Sequence, residues 1–196
     1  HGSYGMKYAA NGNSSSTIND LNTGTITLRK NPGTRANGVT AGTDKADQSA
    51  AMALMEDSNV AARVYLAKGK VVNRGIINIQ DNVEDSSGMY VNVVNSNVIN
   101  EGTINVQPEV KDVTSGSQPL NVGMRADQGS IQANGKGNTE VINSGNINVK
   151  GKHNIGMLAN KGNTTGTAQA INKSTKIINI SSGSFLSGID SLNGGN

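Results

Sequence analysis

Two short words recur in a fixed order along most of this chain, and any fold must place their copies equivalently. The first runs apolar-Asn-x-Gly, then alternates apolar and polar residues. It occurs at Asn22-Thr23-Gly24, Asn73-Arg74-Gly75, Asn100-Glu101-Gly102, Asn143-Ser144-Gly145 and, with one extra residue, Asn172-Lys173-Ser174. The second is Gly-Met-x-Ala, at Gly5-Met6, Gly88-Met89, Gly123-Met124, Gly156-Met157 and, degraded, Gly188-Ile189. From Gly88 onward its copies stand 35, 33 and 32 residues apart. The spacing varies while the words do not, so connecting segments absorb the difference.

Each word has the two-residue period of a strand. Stacking the copies aligns Ile26, Ile77, Ile104, Ile147 and Ile178 in one inward column. Leu28, Ile79, Val106, Val149 and Ile180 make a second, and Met6, Met89, Met124, Met157 and Ile189 a third. Thr27, Asn78, Asn105, Asn148 and Asn179 then face outward as a hydrogen-bonding ladder. Leu21, Val72, Ile99, Ile142 and Ile171 are apolar in every copy, whereas their predecessors include Asp20 and Ala170. The first set is therefore expected to point inward. Asn before the glycine suits a left-handed corner and can bond to the copy above. Three short strands per repeat, wound as a coil, make an all-β parallel β-helix of about 5–6 rungs of roughly 25–35 residues, in which only neighbouring rungs close the core. An antiparallel sandwich also has short strands and frequent turns, but gives no reason for the same inward residues to recur in register.

The interruptions are polar. Residues 29–59 form the largest insertion and 107–120 the second; 129–138 and 160–166 are shorter. Asp44 to Met55, rich in Ala and Met, predicts a short helix starting near Thr43 or Asp44. In that part of the chain Arg63-Val64-Tyr65 is the expected stand-in for Gly-Met-x. The whole of 1–196 reads as one β-helix segment. No amphipathic helix covers either end, and exposed strand edges invite pairing, so a longer parent chain is expected.

Composition narrows the function. With no Trp, one Phe and four Tyr, the core must be aliphatic; 25 Gly and 28 Asn supply the turns. A net charge of +3, spread along the chain, is too diffuse for a nucleic-acid groove. No run of about 18 apolar residues would insert in a membrane. Glycoside cleavage needs two carboxylates held close together. The 14 acids are mostly single or in insertions. Asp81, Glu84 and Asp85 are the densest group, without the Asp-x-Asp-x-Asp-Gly pattern of a calcium loop. His153 lies in a turn with no evident triad partner. Ser-Gly-Ser at 115–117 and 182–184 lacks a nucleophile elbow, and Gly135-Lys136-Gly137 is not a phosphate loop. Two His and no Cys point to no metal site, and no cofactor is expected. The recurring Met are read as pliable core fillers.

Asn-x-Gly-x-Ile-Asn-Val followed by Gly-Met-x-Ala resembles the repeats in the passenger regions of large type V autotransporter adhesins, above all the fusobacterial outer-membrane adhesins. The likeness covers roughly residues 4–191 and is weakest over 29–70. It implies a right-handed parallel β-helical stalk outside the outer membrane, anchored by a C-terminal barrel elsewhere in the parent chain. It implies attachment to host cells or other bacteria through a surface protein or glycan. No ligand-contacting motif of the family matches a position here. Function would then lie in loops on a rigid scaffold, chiefly 29–59 and 107–120, with Arg29, Lys30 and Arg35 as candidates to meet an acidic partner. Two other classes compete. A carbohydrate-binding module wants aromatic platforms, and only Tyr65 and Tyr90 stand mid-chain. A β-helical polysaccharide-degrading enzyme lacks its carboxylate pair.

Overall fold

The computed structural model describes residues 4–10, 18–28, 50–56, 69–80, 83, 86–93, 96–107, 121–127, 138–151, 153–160, 167–173, 175–181 and 187–192. Every regular element among them is a strand. The first coil is β1 (Tyr4–Ala10), β2 (Ile18–Asn22) and β3 (Thr25–Leu28). The second is β4 (Ala50–Glu56), β5 (Gly69–Asn73) and β6 (Ile76–Ile79); the third is β7 (Ser87–Val91), β8 (Ser96–Asn100) and β9 (Thr103–Val106). The fourth is β10 (Asn121–Asp127), β11 (Asn138–Asn143) and β12 (Asn146–Lys150). The fifth is β13 (Asn154–Asn160), β14 (Thr167–Asn172) and β15 (Ile178–Ser181), and β16 (Ser187–Leu192) opens a sixth.

Every third strand pairs, always in parallel. The first sheet has the order β1-β4-β7-β10-β13-β16, the second β14-β11-β8-β5-β2 and the third β15-β12-β9-β6-β3. This is a parallel β-helix, and the sequence words set its registers. Met89 pairs with Met124 and Met124 with Met157, ending on Ile189. Asn22, Asn73, Asn100, Asn143 and Asn172 pair in succession across the second sheet. Ile26, Ile77, Ile104, Ile147 and Ile178 do so across the third. One apolar cluster runs from Leu28 to Ala168 and contains the Met, Ile and Val columns. Met52, Met89, Met124, Met157, Ile77, Ile104 and Ile147 are wholly buried in it. Ile180 and Ile189, on the last strands of their sheets, are about half exposed.

Three expectations from sequence are corrected. Ala50–Glu56 is a strand, not part of a helix or a loop insertion. Met52 stands opposite both Met6 and Met89, so Ala51-Met52-Ala53, not Arg63-Val64-Tyr65, is the missing copy of the second word. Residues 57–68 lie outside the described residues. Ala and Met favour helix only weakly; the parallel neighbours on both sides decide here.

The second correction is the orientation of the second sheet. Val71, Val98 and Val141 are buried; of the residues expected inward only Val72 is buried, whereas Leu21 and Ile171 are exposed and Ile99 and Ile142 half-buried. The buried corner asparagine decides this. Side chains alternate along a strand, so an inward Asn100 or Asn143 carries Val98 or Val141 inward with it and turns Ile99 or Ile142 out.

The third concerns the corner itself. Among the described residues only Gly151 and His153 have positive φ, so neither Asn nor Gly of the first word is left-handed. The glycine is there for closeness. A Cβ on Gly75 would collide with the carbonyl oxygen of Gly24, one on Gly102 with that of Gly75, and one on Gly145 with that of Gly102. The expected bond to the next copy does form. Asn22 Nδ2 donates to Asn73 Oδ1, and Asn73 to Asn100, at 2.8 Å. Asn100 donates to Asn143 at 2.8 Å, and Asn143 to Asn172 at 2.7 Å.

Candidate functional site

The coil has three corners, and they behave differently. From the second sheet to the third, the first four coils turn in two residues: Thr23-Gly24, Arg74-Gly75, Glu101-Gly102 and Ser144-Gly145. Backbone bonds tie each such turn to the one below, as in Glu101 N to Asn73 O at 2.7 Å and Thr103 N to Gly75 O at 3.0 Å. Arg74 and Glu101 form a 2.7 Å ion pair on its surface; both are too exposed for the pair to add much stability. From the third sheet to the first, the connection has no fixed length. Residues 29–49 join β3 to β4, 108–120 follow Gln107 toward β10, and only 151–153 join β12 to β13.

Both large insertions therefore leave the same edge of the rod. Their roots, β3 and β9, lie two strands apart in the third sheet, about 10 Å along the axis at roughly 4.8 Å per strand. Between them runs the β6–β7 connection. Its described residues are well anchored: Gln80 N donates to Leu28 O at 3.0 Å and Val83 N to Gln80 O at 3.3 Å. Val83 is buried, and its carbonyl accepts from Asn121 Nδ2 at 2.9 Å. Ser86 N donates to Asn121 Oδ1 at 3.2 Å. Asn121 thus clips a neighbouring coil's corner through both ends of its amide. Buried with both functions bonded, it fixes the Val83 carbonyl and the Ser86 amide in place.

Arg29, Lys30 and Arg35 lie outside the described residues, as do Asp81, Glu84, Asp85, Tyr65, residues 108–120 and both Ser-Gly-Ser strings. What the topology brings together is the chain segments that contain them. The segments bearing Arg29 to Arg35, the acidic group at 81–85 and 108–120 all span the third-to-first corner in consecutive coils. Sequence spacing alone did not bring the acids and the basic stretch to one edge; the pairing order does. His153 occupies the same corner one coil further on, in a left-handed conformation (φ 55°) two residues after Gly151. That corner is a tight turn.

Outside the corners, two hydrogen-bonded networks on the outer faces of the first and third sheets stand out among the described residues. One is the expected outer ladder on the third sheet. Asn105 donates to Asn78, Asn148 to Asn105 and Asn179 to Asn148, each at 2.8 Å. The other lies on the first sheet. Tyr90 Oη donates to Asp127 Oδ2 at 3.1 Å, and Arg125 Nε donates to Asp127 Oδ1 at 2.9 Å. The Arg125 guanidinium sits 5.9 Å from the Tyr90 ring centroid. Tyr90 therefore spends its hydroxyl and one ring face on its neighbours, and offers less of a sugar platform than its sequence position promised.

No family model matches the chain, and no curated protein or solved structure matches it.

Proposed function

We propose that this chain is a segment of a cell-surface adhesin: a β-helical stalk outside an outer membrane, holding loops out for attachment to a protein or glycan on host cells or other bacteria. The observation that carries this reading is the split between corners. One corner is locked by buried asparagines and stacked glycines in coil after coil. Another accepts segments as different as 29–49 and 151–153 while the strands on either side keep register. A scaffold that tolerates such variation along one edge is suited to display. The resemblance of the two sequence words to autotransporter passenger repeats supports the location and the adhesive role.

Arg29, Lys30 and Arg35 are the residues we assign to contact with an acidic partner. The test is attachment of the purified chain to host cells and to bacteria, with and without residues 29–49 and 108–120. Loss of attachment in the deletion variants, with strand content unchanged by circular dichroism, is the expected result. Attachment that survives both deletions sinks the loop-display reading. Charge reversal of Arg29, Lys30 and Arg35 together is expected to weaken attachment and to remove part of its salt dependence.

A further inference from the structure

Two columns on the outside of the second sheet run across all five strands; on β11 and β14 a further outward pair precedes them, Thr167 Oγ1 donating to Asn138 Oδ1. One column is apolar: Leu21, Val72, Ile99, Ile142 and Ile171, in register on five adjacent strands. Leu21 is 47% exposed and Ile171 39%, Ile99 and Ile142 are half-buried, and Val72, at 9%, is buried. The other column is Asn19, Lys70, Asn97, Glu140 and Gln169, in the same register. Lys70 is exposed, Glu140 half-buried, and neither has an ion-pair partner among the described residues. They stand one strand to either side of Asn97.

We propose that this face pairs with the same face of a second copy, the two rods lying antiparallel about a twofold axis that runs along β8. Such an axis preserves position along the strand and reverses strand order. The apolar column then lies on the apolar column and the polar on the polar. Ile99 meets Ile99, Val72 meets Ile142, and Leu21 meets Ile171. In the other column Asn97 meets Asn97, the Asn19 position meets that of Gln169, and Lys70 meets Glu140 twice, once from each side. An isologous contact must be self-complementary in this way, and both of these columns are. A twofold along the rod axis fails the same check: it keeps strand order, sets apolar against polar columns, and brings Lys70 level with Lys70 and Glu140 level with Glu140. The charge pattern selects the occupant and its orientation together.

The area sets the strength. Five strands at about 4.8 Å spacing and about 17 Å long present on the order of 400 Å² per copy, against roughly 800 Å² per partner in a stable complex. The association is therefore weak and reversible, at micromolar concentration or above. It is independent of what the insertions bind.

The test is sedimentation velocity of the 196-residue chain from about 10 µM to about 1 mM, with charge variants whose strand content is checked by circular dichroism. The parent chain shows a concentration-dependent dimer. Lys70→Glu and Glu140→Lys each weaken it by about tenfold, because each sets like charges opposite one another in both symmetry-related rows. An equimolar mixture of the two variants regains association, since every facing pair is then opposite in sign, and the double variant regains it alone. Ile99→Cys, in a chain with no other cysteine, forms a disulfide dimer on mild oxidation, because that position lies on the axis. A chain that stays monomeric up to about 1 mM overturns the proposal. So does a dimer indifferent to Lys70→Glu, or a mixture that fails to regain what each variant lost.

Discussion

The corner from the second sheet to the third and the corner from the third to the first are built from the same chain under opposite rules. The first is two residues long in four successive coils, and its Asn is buried in each: Asn22, Asn73, Asn100 and Asn143. The second ranges from three residues to the whole of 29–49. The difference lies in where the polar groups are satisfied. At the fixed corner each buried amide bonds to the next coil and to its own turn. Asn143 Oδ1 accepts from Gly145 N at 3.2 Å, and its Nδ2 donates to Gly145 O at 3.2 Å. A longer turn would leave buried amide groups without partners, which costs more than the bonds return. At the variable corner the strand ends are clipped by backbone bonds and by Asn121, and the segment beyond is free to differ in length. Loop closure entropy rises only slowly with such length.

The comparison can be broken most decisively at Gly102. Gly102→Val places a Cβ against the Gly75 carbonyl and is expected to cost about 4 kcal/mol or more in a urea midpoint experiment. A loss under about 1 kcal/mol would mean the coils are not stacked as closely as described. Next is Asn100→Leu. It removes the shorter of the two bonds made by the Asn73 amide nitrogen and by the Asn143 amide oxygen, both fully buried, and is expected to cost about 2–4 kcal/mol. Asn105→Leu in the outer ladder removes two bonds of the same 2.8 Å length, but its partners can turn to water. The expected loss is below about 1 kcal/mol, and equal losses at Asn100 and Asn105 would dissolve the distinction between inner and outer ladders. The smallest effect belongs to the variable corner. Replacing residues 108–120 by Gly-Lys-His, the turn that joins Lys150 to Asn154 in the next coil, matches the observed pairing of Val106 with Val149 and Asn121 with Asn154. The midpoint is expected to shift by less than about 1 kcal/mol.

Much of this fold is written in the repeats. The Met and Ile columns, the outer Asn ladder and the parallel stacking follow from which residues recur at which offsets. What escaped was whatever depended on a residue unlike its counterparts. Ala51 stands where other coils have Gly, so the copy at 51–53 was passed over, and its neighbours Ala50, Ala53, Met52 and Met55 read as helix formers. Asp20 shares the register position of Val71, which made the true inward column look less apolar than the outward one. The rule that would have resolved it is parity with the asparagine, had the burial of an amide been weighed above the uniformity of Leu21, Val72, Ile99, Ile142 and Ile171. The candidate site was less legible. Insertions follow no period, so their sequence gives composition but not placement. Only the strand order shows that the segments at 29–49 and 108–120 share an edge.

The two asparagine ladders run in opposite senses. Inside, each amide donates toward the coil that follows in the chain, from Asn22 through Asn73, Asn100 and Asn143. Outside, each donates toward the coil that precedes it, from Asn179 through Asn148 and Asn105 to Asn78. A primary amide is a dipole of the same kind as a peptide group, and a row of them aligned head to tail would electrify a rod much as aligned peptides do an α-helix. Here the rows oppose and largely cancel. The coil has little axial polarity from its ladders to draw ions to either end, and two such coils can lie head to head or head to tail without the ladders favouring either.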